Sequence, residues 1–338
     1  MGQNKKQQKN ILSIVIFLLP FVAAVICIGL GRYHITPWES LDILLSPITG
    51  HEVDPQGWSA VYSVRLPRII LALFVGMGLS VSGASFQSLF SNPLATPDTL
   101  GVATGASFGA VLALLFTRNI LIVQIVALVM GLVALAGTCV ISRMNGKSNI
   151  LMVVLGGMVV SSLFQALVSL IKYVADPEED LPAITYWLMG SMSRATYKGL
   201  AVGIPLIVVG VAILFLLRWR LNILSLQEDE TRALGINVKK LRFMVMGAAT
   251  LVTASCVSLC GQVGWVGLLI PHAARMLYGS DNRKIIPVSM GLGAAFMVII
   301  DTASRAATAA EIPVSILTAI IGAPFFILLL RKTGGARL

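Results

Sequence analysis

Apolar residues in this chain gather into long runs separated by short polar connections. From Ile11 to Leu30 there is no charged residue. With that first run taken as about 11–31, further runs cover about 66–89, 98–116, 120–142, 149–174, 199–218, 239–260, 266–279, 285–303 and 313–331. A helix needs roughly 20 residues to cross about 30 Å of hydrocarbon, and most of these runs reach that length. The pattern predicts an all-α membrane protein, a polytopic bundle of about ten transmembrane helices. The run at 266–279 is the shortest, and Pro271, His272 and Arg275 interrupt it.

Within the runs, small residues recur at helical spacing. Gly101, Gly105 and Gly109 fall every fourth position, and Gly76, Gly78, Ser80, Ser82 and Gly83 crowd the second run. Helices in lipid associate through close backbone packing, which small residues permit, so a tightly packed bundle follows. Pro93, Pro97 and Pro271 predict bent or interrupted helices, tolerated where protein or a cavity covers the freed backbone groups.

Composition agrees with the pattern. The 338 residues are 57% hydrophobic and only 12% charged, where soluble domains carry about 25% charged residues. A net charge of +10 raises nucleic acid as a partner, but the basic residues sit between apolar runs and form no patch interleaved with aromatics. They follow the positive-inside rule instead. Of the 25 Lys and Arg, seventeen fall in alternate segments that include the N-terminus and eight in the others. Both termini are therefore expected in the cytoplasm, with residues 1–10 as a tail and 11–332 as one membrane domain in the inner membrane. The run at 11–31 reads as a retained span, and Lys6 argues against lipidation at Gly2.

The chemistry available is limited. Cys27, Cys139, Cys256 and Cys260 lie inside apolar runs, and His34, His51 and His272 are scattered. A metal site needs clustered ligands, so neither a metal nor another cofactor is expected. Asn145-Gly146-Lys147-Ser148 resembles the tail of a phosphate loop, but Ile141 stands where that loop needs glycine. An ion-coupled secondary transporter would keep ionisable residues in mid-membrane. Here Asp98, Lys172, Asp301 and Glu311 fall near run ends, and Asp301 and Arg305 are spaced to pair. The driving force is expected from elsewhere.

The segment of about 221–236 is polar and lies on the cytoplasmic side. Ser225 precedes an acidic turn of Glu228, Asp229 and Glu230, and Gly235 follows Ala233 and Leu234. These are start and stop signals for one or two short helices, either an interfacial linker or a helix that seats in a partner's groove.

Several stretches resemble the FecCD family, the permeases of ATP-binding-cassette importers for iron-siderophores, haem and vitamin B12. They are Arg65-Leu66-Pro67-Arg68, Gly83-Ala84-Ser85-Phe86-Gln87, Asn92-Pro93-Leu94-Ala95 with Pro97, and Leu100-Gly101-Val102. Tyr186-Trp187-Leu188-Met189-Gly190, Ala233-Leu234-Gly235, Gly264-Trp265-Val266-Gly267-Leu268-Leu269-Ile270-Pro271-His272 and Gly322-Ala323-Pro324-Phe325-Phe326 complete the series. The order holds from about residue 60 to the C-terminus.

The resemblance implies a type II importer permease, not itself an enzyme. It would work with a second permease subunit, identical or paralogous, two copies of a separate ATPase and a binding protein on the outer face. The expected cargo is an iron(III)-siderophore or related metal chelate, with vitamin B12 or haem as the alternative. Coupling helices at about 221–236 would contact the ATPase through Glu228, Arg232, Ala233, Leu234 and Gly235. Arg65, Arg68 and Arg305 would grip carboxylates of the binding protein, the alternative being interfacial anchoring. Thr104, Ser161, Ser162, Gln165 and Ser169 are candidates to line the passage; polar groups at such positions also bond neighbouring helices.

Overall fold

The computed structural model of the chain describes residues 2–142, 150–225, 236–308 and 310–333. Each apolar run forms a helix. They are α1 (Gly2–Gly29), α4 (Leu66–Leu89), α5 (Val102–Leu114), α6 (Ile120–Ser142), α7 (Ile150–Val174) and α9 (Tyr197–Leu216), then α10 (Val238–Cys260), α11 (Val266–Tyr278), α12 (Asn282–Ala306) and α13 (Val314–Thr333). Three further helices fall in the connections: α2 (Pro37–Thr49), α3 (Pro55–Ser59) and α8 (Asp180–Leu188). The described residues contain no strand. Among the described residues, seven helices are long and apolar enough to cross a membrane, while α5 and the apolar part of α13 are shorter.

Burial separates the centre of the bundle from its lipid-facing rim. The most apolar window of the 55–89 rod is 78% buried and those of α10 and α12 are 72% buried. The corresponding windows of α1 and α6 are 28% buried, and α1 exposes Ile14, Phe17, Leu18, Phe21, Val25 and Ile26. α4 is therefore a central pillar, packed against α12, α10, α11 and α9.

The small residues explain how a pillar can be surrounded so closely. A Cβ on Gly76 would come within 2.1 Å of the Gly293 carbonyl oxygen in α12, and one on Gly83 within 1.9 Å of the Gly267 oxygen in α11. The glycine stripe of the third run divides its work. Gly105 and Gly109 bring α5 against the backbone of α6 at Met130 and Val126. Gly101 stands outside the helix, in the left-handed region at φ 73°, where α5 begins.

The connection between α1 and α4 is ordered by local chemistry. Thr36 and Glu39 form a reciprocal capping box at the start of α2, and Gly50 at φ 69° ends it. Asp54 caps α3, which runs through a π-helical turn at Ala60–Arg65 into α4. Those signals were present in the sequence, but the segments are too short and too polar to register as apolar runs.

Gly83→Ala should lower the melting temperature in detergent by several degrees, since overpacking a core costs about 1–3 kcal/mol. Gly247→Ala, whose added carbon meets nothing within 4 Å, should melt as the unaltered protein does.

Candidate translocation and coupling site

The polar candidates on α7 fall on one stripe. Ser162, Gln165 and Ser169 are three and four residues apart and all exposed on the surface of the single chain. Ser169 Oγ donates to the Gln165 carbonyl at 3.0 Å. Ser161, half-buried, packs against Gly101, and Thr104 Oγ1 donates to the Gly101 carbonyl at 3.0 Å. The structure thus brings Thr104 and Ser161 to the same glycine turn and leaves the other three facing outward.

A cavity of about 250 Å³ opens beside this turn. Thr96, Pro97 and Asp98 form one wall, Gln262, Gly264, Trp265 and Gly267 the opposite one, and Leu188 and Ser315 lie at its edge. Asp98 is the one ionisable residue of the lining. The wall carries backbone strain. Trp265 has φ 69° and ψ −34°, and the Val266 N–H donates to the Gly264 carbonyl at 2.9 Å. That is a γ-turn of the rare, strained sign, and it sits where α11 starts. Sequence reasoning overlooked this wall. Its signals were the break in the apolar pattern at Gly261-Gln262-Val263-Gly264 and the family-like stretch that begins at Gly264, neither of which pointed to a cavity.

The three arginines expected on the outer face are buried, with exposures of 3%, 2% and 6% for Arg65, Arg68 and Arg305. Their partners lie within the chain. Arg68 Nε and Nη2 both donate to Asp301 Oδ1, at 3.2 and 2.8 Å, and Nη1 donates to Glu311 Oε1 at 2.7 Å. Arg305 Nη2 donates to the Cys27 carbonyl at 2.5 Å, and its Nε lies 3.8 Å from Asp301 Oδ2. Arg65 Nη1 donates to the Ile28 and Gly29 carbonyls at 2.8 and 3.1 Å, and Nη2 to the Tyr33 carbonyl. Three cations thus meet two carboxylates and the C-terminal carbonyls of α1, the negative end of that helix. The expected Asp301–Arg305 pair exists, but Arg68 makes the closer contact.

The neighbouring turn is held by carboxylates at helix starts. The Gly57 N–H donates to Asp54 Oδ2 at 2.7 Å, and the Tyr33 hydroxyl donates to the same oxygen at 2.9 Å. These bonds hold the Asp54 carboxyl below its usual value and raise the Tyr33 hydroxyl. Glu39, bonded by the backbone and side chain of Thr36, is lowered likewise.

On the opposite side of the sequence's predicted topology, a 3-10 helix at Arg220–Ser225 leads into 226–235. Glu228, Arg232, Ala233, Leu234 and Gly235 lie outside the described residues. The described residues hold no group of three or more His, Cys, Asp or Glu able to ligate a metal.

A model of the FecCD transport family matches residues 17–332. The molybdate import system permease protein of Haemophilus influenzae is 41% identical over 315 residues, covering 93% of this chain and 94% of the relative. The cobalamin import system permease protein of Halobacterium salinarum is 38% identical, covering 87% of this chain and 79% of the relative. A solved inward-facing structure, described as a metal-chelate type ABC transporter, is 39% identical with a TM-score of 0.86, covering 95% of this chain and 99% of that one.

Arg68→Ala should destabilise the protein by about 3–5 kcal/mol, because Asp301 is left buried without its closest cation; thermal unfolding in detergent reads this. Asp54 contributes stability above its unfolded value near pH 3.8, and that contribution is lost as pH falls through its lower folded value. Protection of the 54–57 backbone from hydrogen exchange should accordingly drop below about pH 4, and Asp54→Asn should remove that pH dependence.

Proposed function

The chain belongs to the FecCD transport family, and we propose on that footing that it carries an iron(III)-siderophore or related metal chelate inward. It is the membrane-spanning permease subunit of an ATP-binding-cassette importer and not an enzyme. In this reading a single permease domain spans 11–332, after a cytoplasmic tail of 1–10, in the inner membrane with both termini inside.

The observation that carries the reading is the exposed polar stripe of Ser162, Gln165 and Ser169 on α7. Polar groups on a membrane helix face a partner helix or a water-filled path rather than lipid. A second permease copy, identical or paralogous, set against α7 would turn that stripe into the wall of a passage. Thr104 and Ser161 extend it toward the Asp98 cavity. Hydroxyls and an amide grip cargo weakly, which suits transit.

The ATPase, in two copies, would engage 221–236 through Glu228, Arg232, Ala233, Leu234 and Gly235. A binding protein would dock on the outer face. Arg65, Arg68 and Arg305 frame that surface from beneath. For them to grip the protein directly, its carboxylates must displace the present internal partners.

Molybdate is a second reading, favoured by the relative that is 41% identical. Against an oxyanion stands Asp98, an acid and the one ionisable residue among the described lining, with no cation beside it in that lining. Vitamin B12 and haem remain alternatives within the chelate class.

The test is uptake into proteoliposomes holding the permease, its ATPase and its binding protein, with ferric-siderophore, haem, cobalamin and molybdate offered in turn. ATP-dependent accumulation of the ferric chelate is expected. Accumulation of molybdate instead would establish the second reading, and uptake driven by a proton gradient without ATPase would overturn both. Replacing Ser162, Gln165 and Ser169 together with Leu should cut uptake at least tenfold while leaving the assembled complex intact on size exclusion.

A further inference from the structure

The inner end of α4 is rich in polar side chains although protein surrounds it. Gln87 is 2% exposed and Asn282, opposite it on α12, is 5% exposed. Buried polar groups persist where partners satisfy them, and here the partners belong to different elements. Ser88 Oγ donates to Asn282 Oδ1 at 2.9 Å. The Asn282 backbone N–H donates to Asn222 Oδ1 at 2.8 Å, and Asn222 Nδ2 donates to Asp281 Oδ1 at 2.8 Å. Burial alone would raise the Asp281 carboxyl, but its bonds from Asn222 and Arg283 hold it below the usual value.

Gln87, the neighbouring residue, faces α11. Its Nε2 donates to the Gly267 carbonyl at 3.3 Å, and Arg275 Nη1 donates to its Oε1. Gly267 lies in the first turn of α11 and lines the Asp98 cavity. Two hydrogen-bonded groups therefore meet at adjacent residues of α4, one running from Asn222 through Asn282 to Ser88 and the other from Gln87 to Arg275 and the wall of the cavity, with the helix backbone joining them. At its far end α11 starts from the strained γ-turn at Trp265, whose ring packs against Gly322 of α13. Strain of this kind persists only where the surroundings hold it, and it gives α11 a pivot.

We propose that Asn222, Asn282, Ser88, Gln87 and Arg275 are positioning residues that carry displacement of the Arg220–Ser225 turn through the end of α4 to α11 and so reshape the Asp98 cavity. The proposal rests on the reading of the chain as an ATP-driven permease. A hydrogen-bonded path transmits only if it biases an element with two arrangements; here that element is α11, hinged at Trp265. The low local dielectric makes each bond costly to leave unmade, so a shift at Asn222 is passed on rather than absorbed.

Asn222→Asp tests this with minimal change of shape. It keeps the acceptor for the Asn282 N–H and sets a carboxylate against Asp281, a like-charge contact. The paired exchange Asn222→Asp with Asp281→Asn restores one donor and one carboxylate. In the purified permease, amide exchange at 266–270 should quicken at least fivefold in the single variant and return to within twofold of the original in the pair. In the full importer the single variant should move at least fivefold less cargo per ATP hydrolysed, again with recovery in the pair.

Exchange that changes only at 220–225 and 281–285 would overturn the seam. Exchange that spreads to 266–270 without any change in cargo per ATP would reduce it to a structural brace and overturn the transmission. An unaltered importer showing no ATP-driven uptake would sink the permease reading instead, and the exchange measurement distinguishes that case.

Discussion

The bundle is arranged around one helix that has little surface left for lipid beyond the half-buried stripe of Ile70, Leu73, Phe74 and Met77. α4 is walled in by α12, α10, α11 and α9, and the approach is so close that carbonyl oxygens of Gly293 and Gly267 occupy the space where side chains of residues 76 and 83 would begin. Water supplies no hydrophobic drive between helices inside a bilayer, so contact area and backbone proximity must do that work. The abundance of glycine and serine in this pillar is the direct expression of that constraint. It also frees the two ends of the pillar for polar chemistry, the arginine cluster at one end and the amide-rich seam at the other.

Those ends show what a linear pattern can and cannot reveal. The run at 66–89 matches α4 residue for residue, because lipid imposes a minimum length on apolar stretches and punishes charge inside them. The connecting helices α2, α3 and α8 escaped because water satisfies a short polar segment in many conformations. The capping residues Thr36, Glu39 and Asp54 select among them only once packed. The burial of Arg65, Arg68 and Arg305 was equally hidden. Arg68 and Asp301 are 233 positions apart, and no periodicity relates them.

The candidate passage was partly legible. Ser162, Gln165 and Ser169 were visible as polar letters in an apolar helix, and the structure adds that they lie on the exposed side of α7. The cavity wall at Gln262–Gly267 was not legible, because its character comes from backbone conformation at Trp265 rather than from residue type. On the proposed coupling through about 221–236, Asn222 is the residue of the polar seam that belongs to that segment.

The arginine cluster also bears on biogenesis. α1 is made well before α12, yet the guanidinium that donates to its Cys27 carbonyl belongs to a residue 278 positions later. Arg65 can close on the Ile28 and Gly29 carbonyls as soon as α4 is in place, whereas the second fastening waits until α12 has been inserted. A chain truncated before Arg305 would therefore hold α1 by the Arg65 contacts alone.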